Sequence, residues 1–326
     1  MMKLQTQIPL FPSENQIKYS SRIMLLGSCF SENIGKKLEY YKFKTLQNPF
    51  GILFHPLAIE NLIQKALDQY KYSEEDIFQL DGRWHCFDAH SELSSGSKEV
   101  LLKKLNDALM NIAKALKEAS HIMITLGTAW VYEHKERNAI VANCHKVPQK
   151  EFRKKLLSQT EVKSSLIKTI ESIKNINPKA QIIFTISPVR HLKDGFVENQ
   201  RSKAHLIAAV HEVLDSPSFG GGKGEAYFPS YEIMMDELRD YRFYERDMVH
   251  PNRLAIDYIW EKFMNMWISK EEVVPMEKVS EIQKGLAHRP FDPESDAHKK
   301  FVKSLAQKIT YIKERYPFLN FDDSNS

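Results

Sequence analysis

The chain has little sulfur chemistry to spend. Its three cysteines, Cys29, Cys86 and Cys144, are too few and too isolated for a disulfide framework or a zinc quartet. They are expected to be free thiols in a reducing compartment. No apolar run approaches membrane-spanning length, so no membrane span is expected. The N-terminal stretch MMKLQTQIPLFPSENQ lacks the apolar core of a secretory signal, which points to a cytoplasmic protein. There is no basic stripe interleaved with aromatics, and the net charge is only +4, which argues against nucleic acid as a partner. Internal repeats and low-complexity linkers are missing too. What is present is ordinary for a globular chain: 326 residues, 42% hydrophobic and 27% charged, enough for one enlarged domain or two modest ones.

Strand signals alternate with helical ones. Apolar runs at 23–26, in HIMITLG, in QIIFTISPVRH and in GEAYF predict four buried strands. Helical patterns cover a segment carrying Ile34, Leu38 and Tyr41, then 56–70, 101–119, 149–173, 200–214 and a long amphipathic stretch after DMVHPN. QLDGRWHCFDAHSELSSGS is a loop or hairpin. This alternation predicts a parallel sheet with helices on both faces. Strand signals stop near residue 270, so the chain divides into a domain at 1–269 and a C-terminal helical extension at 270–326, whose acidic tail FDDSNS is expected to fray.

In a doubly wound sheet, ligands sit at the carboxyl ends of the strands. Three of the four predicted strands end in polar or turn-forming residues: Gly27-Ser28-Cys29, Gly127-Thr128 and Ser187-Pro188. A nucleophile on a strand-to-helix turn is exposed and lies in the positive end of the helix dipole, which should lower a thiol's pKa. The plainer alternative makes Ser28 a helix cap and Cys29 a small apolar residue. Far downstream, Asp247 and His250 stand three apart. The carboxylate can then reach Nδ1 of the imidazole and leave Nε2 to face a nucleophile.

The blocks LLGSCFSENIG, NPFG, TLGTAWVY, NCHK, SPVRH and DMVHPN, in that order, resemble the GSCFA family within the SGNH/GDSL hydrolase superfamily, over roughly residues 8–267. The resemblance implies an α/β, flavodoxin-like three-layer α/β/α sandwich and an acyl-enzyme. It places Cys29 where the superfamily's nucleophilic serine stands; Ser28 falls on the preceding aspartate and becomes the nucleophile only with a one-residue shift. His250 would be the general base and Asp247 its orienting partner. The nucleophile's own N–H and that of Gly51 would hold the oxyanion. The superfamily's third block presents an asparagine after glycine. Here Thr128 follows Gly127, leaving the Thr128 hydroxyl, Asn143 or, behind it, Asn48 to supply that donor.

His85, Asp88 and His90 suggest metal ligands at a glance, but their spacing better fits a lid in which Trp84 and Phe87 pack and His90 meets substrate. Arg190 and His191 are candidates for an anionic substrate group, with Arg190 equally placed for a salt bridge, and Trp130 is a further substrate-binding candidate. The expected activity is an esterase, thioesterase or acyl transfer on a small-molecule or carbohydrate acyl ester, with no cofactor and no metal. Its rival is a non-catalytic ligand-binding protein on the same fold, for instance in a polysaccharide or cell-envelope pathway. A metal-dependent hydrolase on His85 and His90 is a third option.

Overall fold

The computed structural model describes residues 5–216 and 224–321. In chain order the regular elements are β1 (Arg22–Gly27), α1 (Cys29–Tyr40), β2 (Lys44–Gln47), α2 (Pro56–Leu67), β3 (Ile77–Leu80) and β4 (Arg83–Cys86). Then come α3 (Lys98–Glu118), β5 (His121–Leu126), β6 (Trp130–His134), β7 (Ala139–Val141), β8 (Phe152–Leu156) and α4 (Gln159–Ile176). The chain continues through β9 (Gln181–Ile186), α5 (Phe196–Leu214), β10 (Glu225–Phe228), α6 (Ser230–Glu232), α7 (Arg253–Trp267), α8 (Val273–Leu286) and α9 (Asp296–Arg315).

The central sheet has five parallel strands in the order β10-β9-β5-β1-β2. Renumbered within the sheet this is 2-1-3-4-5, the flavodoxin-like order. β5 and β9 are buried at every residue, which is why their sequences read as unbroken apolar runs. Alternate residues serve opposite faces. Met24, Leu26, Ile122, Ile124, Ile182 and Phe184 pack with α2, α3, α4 and α5 in one core. Ile23, Leu25, Met123, Ile183 and Phe228 pack with α1 and α7 in the other. The C-terminal helices join that second core through Met276, Val279, Ile282 and Ile312, so the helical extension rests against the sheet layer. No helix among the described residues is long and apolar enough to cross a membrane.

Two expectations need correction. The sheet has a fifth strand, β2, whose KTLQ is a short, largely half-exposed edge and carries no apolar run. The segment 149–173 is not all helix: Phe152–Leu156 pairs antiparallel with β6, and α4 begins only after Ser158, whose side chain and that of Glu161 close a capping box. β7, β6 and β8 form a small sheet inserted after β5, and β3–β4 is a hairpin turned at Asp81-Gly82, both with positive φ. Phe78 of the hairpin stacks on Phe87 at 4.2 Å, and Phe87, Val141 and Phe152 bind hairpin and small sheet together. Phe87 thus packs at the joint between the hairpin and the small sheet. Tail residues 322–326 lie outside the described residues.

Candidate functional site

The turn after β1 is held from all sides. Gly27 has φ +126, and a Cβ there would stand 2.1 Å from the Thr125 carbonyl oxygen. Its N–H donates to Asn48 Oδ1 at 2.9 Å, and the Ser28 N–H donates to Thr125 O at 3.1 Å. Ser28 is fully buried, and its Oγ accepts from the Phe30 N–H at 3.3 Å, the bond of a helix N-cap. Cys29 opens α1 and is partly exposed. Among the described residues no other residue accepts its N–H, as expected for the first turn of a helix, and that amide lies against its own sulfur.

The thiol does not behave as its position suggested. Burial pushes the Cys29 pKa up, Glu32 adds to the rise, and the opposing pull of Lys203 and of the Cys29 and Phe30 amides does not reverse it. The resting group is a thiol.

At the end of β5, the Gly127 and Thr128 amides both donate to Phe54 O, at 2.8 and 3.0 Å. The Thr128 hydroxyl pairs with Ser202 Oγ at 3.0 Å and accepts from the Trp130 N–H at 3.0 Å. It is turned towards α5, not towards Cys29. At the end of β9, His191 packs edge-on to Phe54, and its Nε2 lies 3.1 Å from where a Gly127 Cβ would be. Burial first, then the charges of Lys203 and His250, hold His191 down to about 3, so it is neutral. Arg190 reaches Met235 Sδ at 2.9 Å, and no carboxylate pairs with it among the described residues.

The Asp247–His250 pair stands on the loop before α7. His250 Nδ1 lies 2.6 Å from Asp247 Oδ2, while Asp247 Oδ1 accepts from the Val249 and His250 amides, both at 2.9 Å. These bonds hold Asp247 down to about 2, so it is an ionised acceptor and Nδ1 carries the donated proton. His250 is half exposed. It is close enough to influence His191 electrostatically, yet no hydrogen bond joins it to Ser28 or Cys29 among the described residues.

Other expected members of the site are placed differently. Gly51, at φ +70, gives its N–H to Asn48 O at 2.7 Å and closes a turn against His90, so that amide is not free for an oxyanion. Asn143 accepts the His145 N–H on its Oδ1 at 2.8 Å and gives its backbone N–H to Phe87 O at 3.2 Å. By contrast, Asn48 presents a buried Nδ2 with no partner beside Gly27. Trp130 is pinned by its Nε1 to Glu198 O and by Lys154 over its ring. His85 packs on Phe78 and His145, Asp88 pairs with Lys65 and Tyr72, and His90 lies 3.6 Å from Glu92. These three diverge, and no metal-holding group of three such residues exists among the described residues.

Sequence reasoning missed Lys203. It lies on α5, fully buried, and its Nζ donates to Gly127 O and Ser187 O, both at 2.8 Å. Burial draws its pKa down to about 7. The one available signal was its position on the helical face shared by Leu206 and Val210. A cavity of about 350 Å³ lies at the opposite strand ends, beside Arg22, Lys44 and Glu118, and gathers neither thiol nor histidine. Chemistry, not concavity, marks the carboxyl edge.

The model of the GSCFA family matches residues 22–263, and that of the GSCFA domain protein, C-terminal domain, matches residues 279–324. Comparison with curated proteins finds no match.

Proposed function

This chain belongs to the GSCFA family, and on that premise we propose that it is an SGNH-type hydrolase working through an acyl-enzyme on Cys29. The observation that carries this reading is the contrast between two neighbours. Ser28 is sealed in as a cap, while Cys29 is a partly exposed residue whose N–H is bonded to no other residue among those described. An Asp247–His250 pair formed at the same edge supports it.

In this reading the loop brings His250 Nε2 to Cys29 Sγ as substrate binds. Nε2 takes the thiol proton while Sγ attacks the acyl carbon, and Asp247 stabilises the imidazolium through Nδ1–H. The Cys29 N–H faces the developing oxyanion, with Asn48 Nδ2 as second donor. Collapse expels the alcohol or thiol, protonated by His250. Water, or an acceptor hydroxyl in acyl transfer, then attacks the thioester with His250 again as base. Arg190, unmatched by a carboxylate, suits a substrate carrying an anionic group. Residues 1–269 form the unit that builds the site and 270–326 an extension outside it. The protein is placed in the cytoplasm, and its substrate is a small-molecule or carbohydrate acyl ester.

The test is a panel of p-nitrophenyl esters and acyl thioesters, with intact-mass detection of acylated protein. Cys29→Ala should abolish both turnover and the adduct, whereas Ser28→Ala should keep most turnover. Turnover lost with Ser28→Ala and kept with Cys29→Ala would move the nucleophile to Ser28. That no hydrogen bond joins His250 to Cys29 among the described residues favours a second reading, a ligand-binding protein without turnover. That reading gains if the wild type neither turns over nor becomes acylated.

A further inference from the structure

A lysine with no exposed surface needs an explanation. Desolvating an ammonium costs several kcal/mol unless charges or hydrogen bonds offset it. Lys203 forms no ion pair with a carboxylate among the described residues, and its two hydrogen bonds go to backbone carbonyls. Those carbonyls are not arbitrary. The sheet register pairs Gly27 with Thr125 and Thr125 with Thr185. Gly127 and Ser187 lie two residues beyond Thr125 and Thr185, at the same carboxyl edge as the Gly27–Cys29 turn, and theirs are the oxygens that Nζ bridges.

We propose that Lys203 is the buried counter-charge of Cys29: a positioning residue that fastens the ends of β5 and β9 beneath the thiol and supplies the positive charge against which its thiolate forms. This rests on the reading of Cys29 as the reactive group. The groups facing Lys203 are few. Cys29 comes from α1, Arg190 and His191 from the segment after β9, and Tyr231 and Glu232 from α6. Arg190 repels the ammonium, and His191 is neutral. The Tyr231 ring lies 5.6 Å away and contributes its face. Glu232 attracts it from a distance, but both its oxygens already accept from the Tyr227 hydroxyl. Among the described residues a thiolate at Cys29 acts on Lys203 ahead of Glu232, and each of the pair stabilises the charged form of the other.

Because Lys203 is drawn down to about 7 while Cys29 is raised, the two titrate in an order that leaves a signature. Below neutrality Lys203 is charged, and the thiolate fraction rises tenfold per pH unit. As Lys203 loses its proton, the thiol is raised further and the gain stalls. At higher pH the climb resumes. The measurement is the alkylation rate of Cys29 by iodoacetamide in the full-length protein across pH, read by peptide mass spectrometry. The wild type should show unit slope, a flattening near neutrality, then unit slope again. Lys203→Met should give one uninterrupted slope and react about tenfold more slowly in mild acid, one pKa unit of thiol shift. Lys203→Arg should restore the acid-side rate without the flattening. A wild-type profile with a single slope overturns the proposal, as does a flattening that survives Lys203→Met. If the methionine variant does not fold, the wild-type flattening must coincide with the titration of the Lys203 Cε resonance; a mismatch overturns it. Turnover does not enter this readout. An inert protein with the flattened profile loses the hydrolase reading and keeps this one, and an active esterase with a single slope does the reverse.

Discussion

The two halves of the candidate site are built on opposite principles. The turn at Gly27–Cys29 is ordered by distant parts of the chain: Asn48 takes the Gly27 amide, Thr125 takes the Ser28 amide, and the Ser31 hydroxyl reaches both Leu26 O and Thr125 Oγ1. The loop around His250 is ordered by itself. Asp247 gathers the amides of Val249 and His250 and the His250 ring, while the Glu245 amide returns to His250 O. The first half is buried and tied to the core; the second is exposed. A nucleophile must not shift, because a misplacement of about 1 Å can cost a hundredfold in rate. A base that has to meet different steps is better carried on a unit whose inner geometry survives movement. If this division is right, damage to the first half should unfold the protein, and damage to the second should silence it without unfolding.

The largest effect is expected at Gly27. Gly27→Ala drives a Cβ to 2.1 Å from the Thr125 carbonyl oxygen at a φ that side chains rarely adopt. No flexible side chain can yield there, so the loss of stability should exceed about 3 kcal/mol. Gly82→Ala in the β3–β4 turn is the control. Its φ is also positive, at +73, but nothing lies within 4 Å, and the cost should be about 1 kcal/mol. Urea midpoints measure both, and equal midpoints would break the comparison.

The next effect separates buried histidines from the exposed one. His55 Nδ1 accepts from the Ala58 N–H at 3.1 Å, so its Nε2 carries the proton given to Val141 O at 3.0 Å. Protonating Nδ1 would set two N–H groups against each other, and burial alone already holds His55 down to about 4. His145 is held at about 4 and His191 at about 3 for the same first reason, burial. A depressed histidine contributes stability above its ordinary value of about 6.5, and loses it as pH falls through the folded value. Stability should therefore decline from about pH 6.5 towards pH 4, with about 3 kcal/mol of that slope belonging to His55. His55→Asn keeps a capping oxygen for α2 and removes the titration, so the slope of urea stability against pH should shrink. An unchanged slope would show that His55 is not buried neutral.

These contrasts also explain what was legible in the sequence. β1, β5 and β9 could be read because burial on both faces leaves unbroken apolar runs, and a parallel sheet with helices on both faces followed from their alternation with helices. β2 could not, since KTLQ is an edge with little to bury, and Phe152–Leu156 was lost because its Arg-Lys-Lys suits an exposed strand or a helix equally. Within the site, the Asp247–His250 bond was readable because it depends on a spacing of three. The fate of the Gly51 amide depends on the direction of a turn. Thr128 answers to Ser202, 74 residues away, and Lys203 is defined by two carbonyls on other elements. Local geometry is written in spacing, and tertiary partners are not.

The smallest change in stability, and the sharpest test of the comparison, is expected on the loop itself. Asp247 sits at about 2 because the amides and ring it binds favour its ionised form. The sign follows: the loop gains stability above the ordinary aspartate value of about 3.9 and loses it as pH falls towards 2. Both partners are half exposed, so solvent screening limits the gain to less than about 0.5 kcal/mol. Asp247→Asn and His250→Ala should therefore leave the urea midpoint at neutral pH almost unmoved. In the proposed reaction they do much more. Without His250 the raised thiol of Cys29 has no base, and turnover should fall about a hundredfold or more. Asp247→Asn keeps an oxygen for the two amides but no longer answers the imidazolium charge, and should fall about tenfold to a hundredfold, with the acid side of the pH–rate profile altered. A midpoint shift as large as that of Gly27→Ala in either variant would mean that the loop is part of the scaffold after all, and that both halves of the site are held by the same tertiary frame.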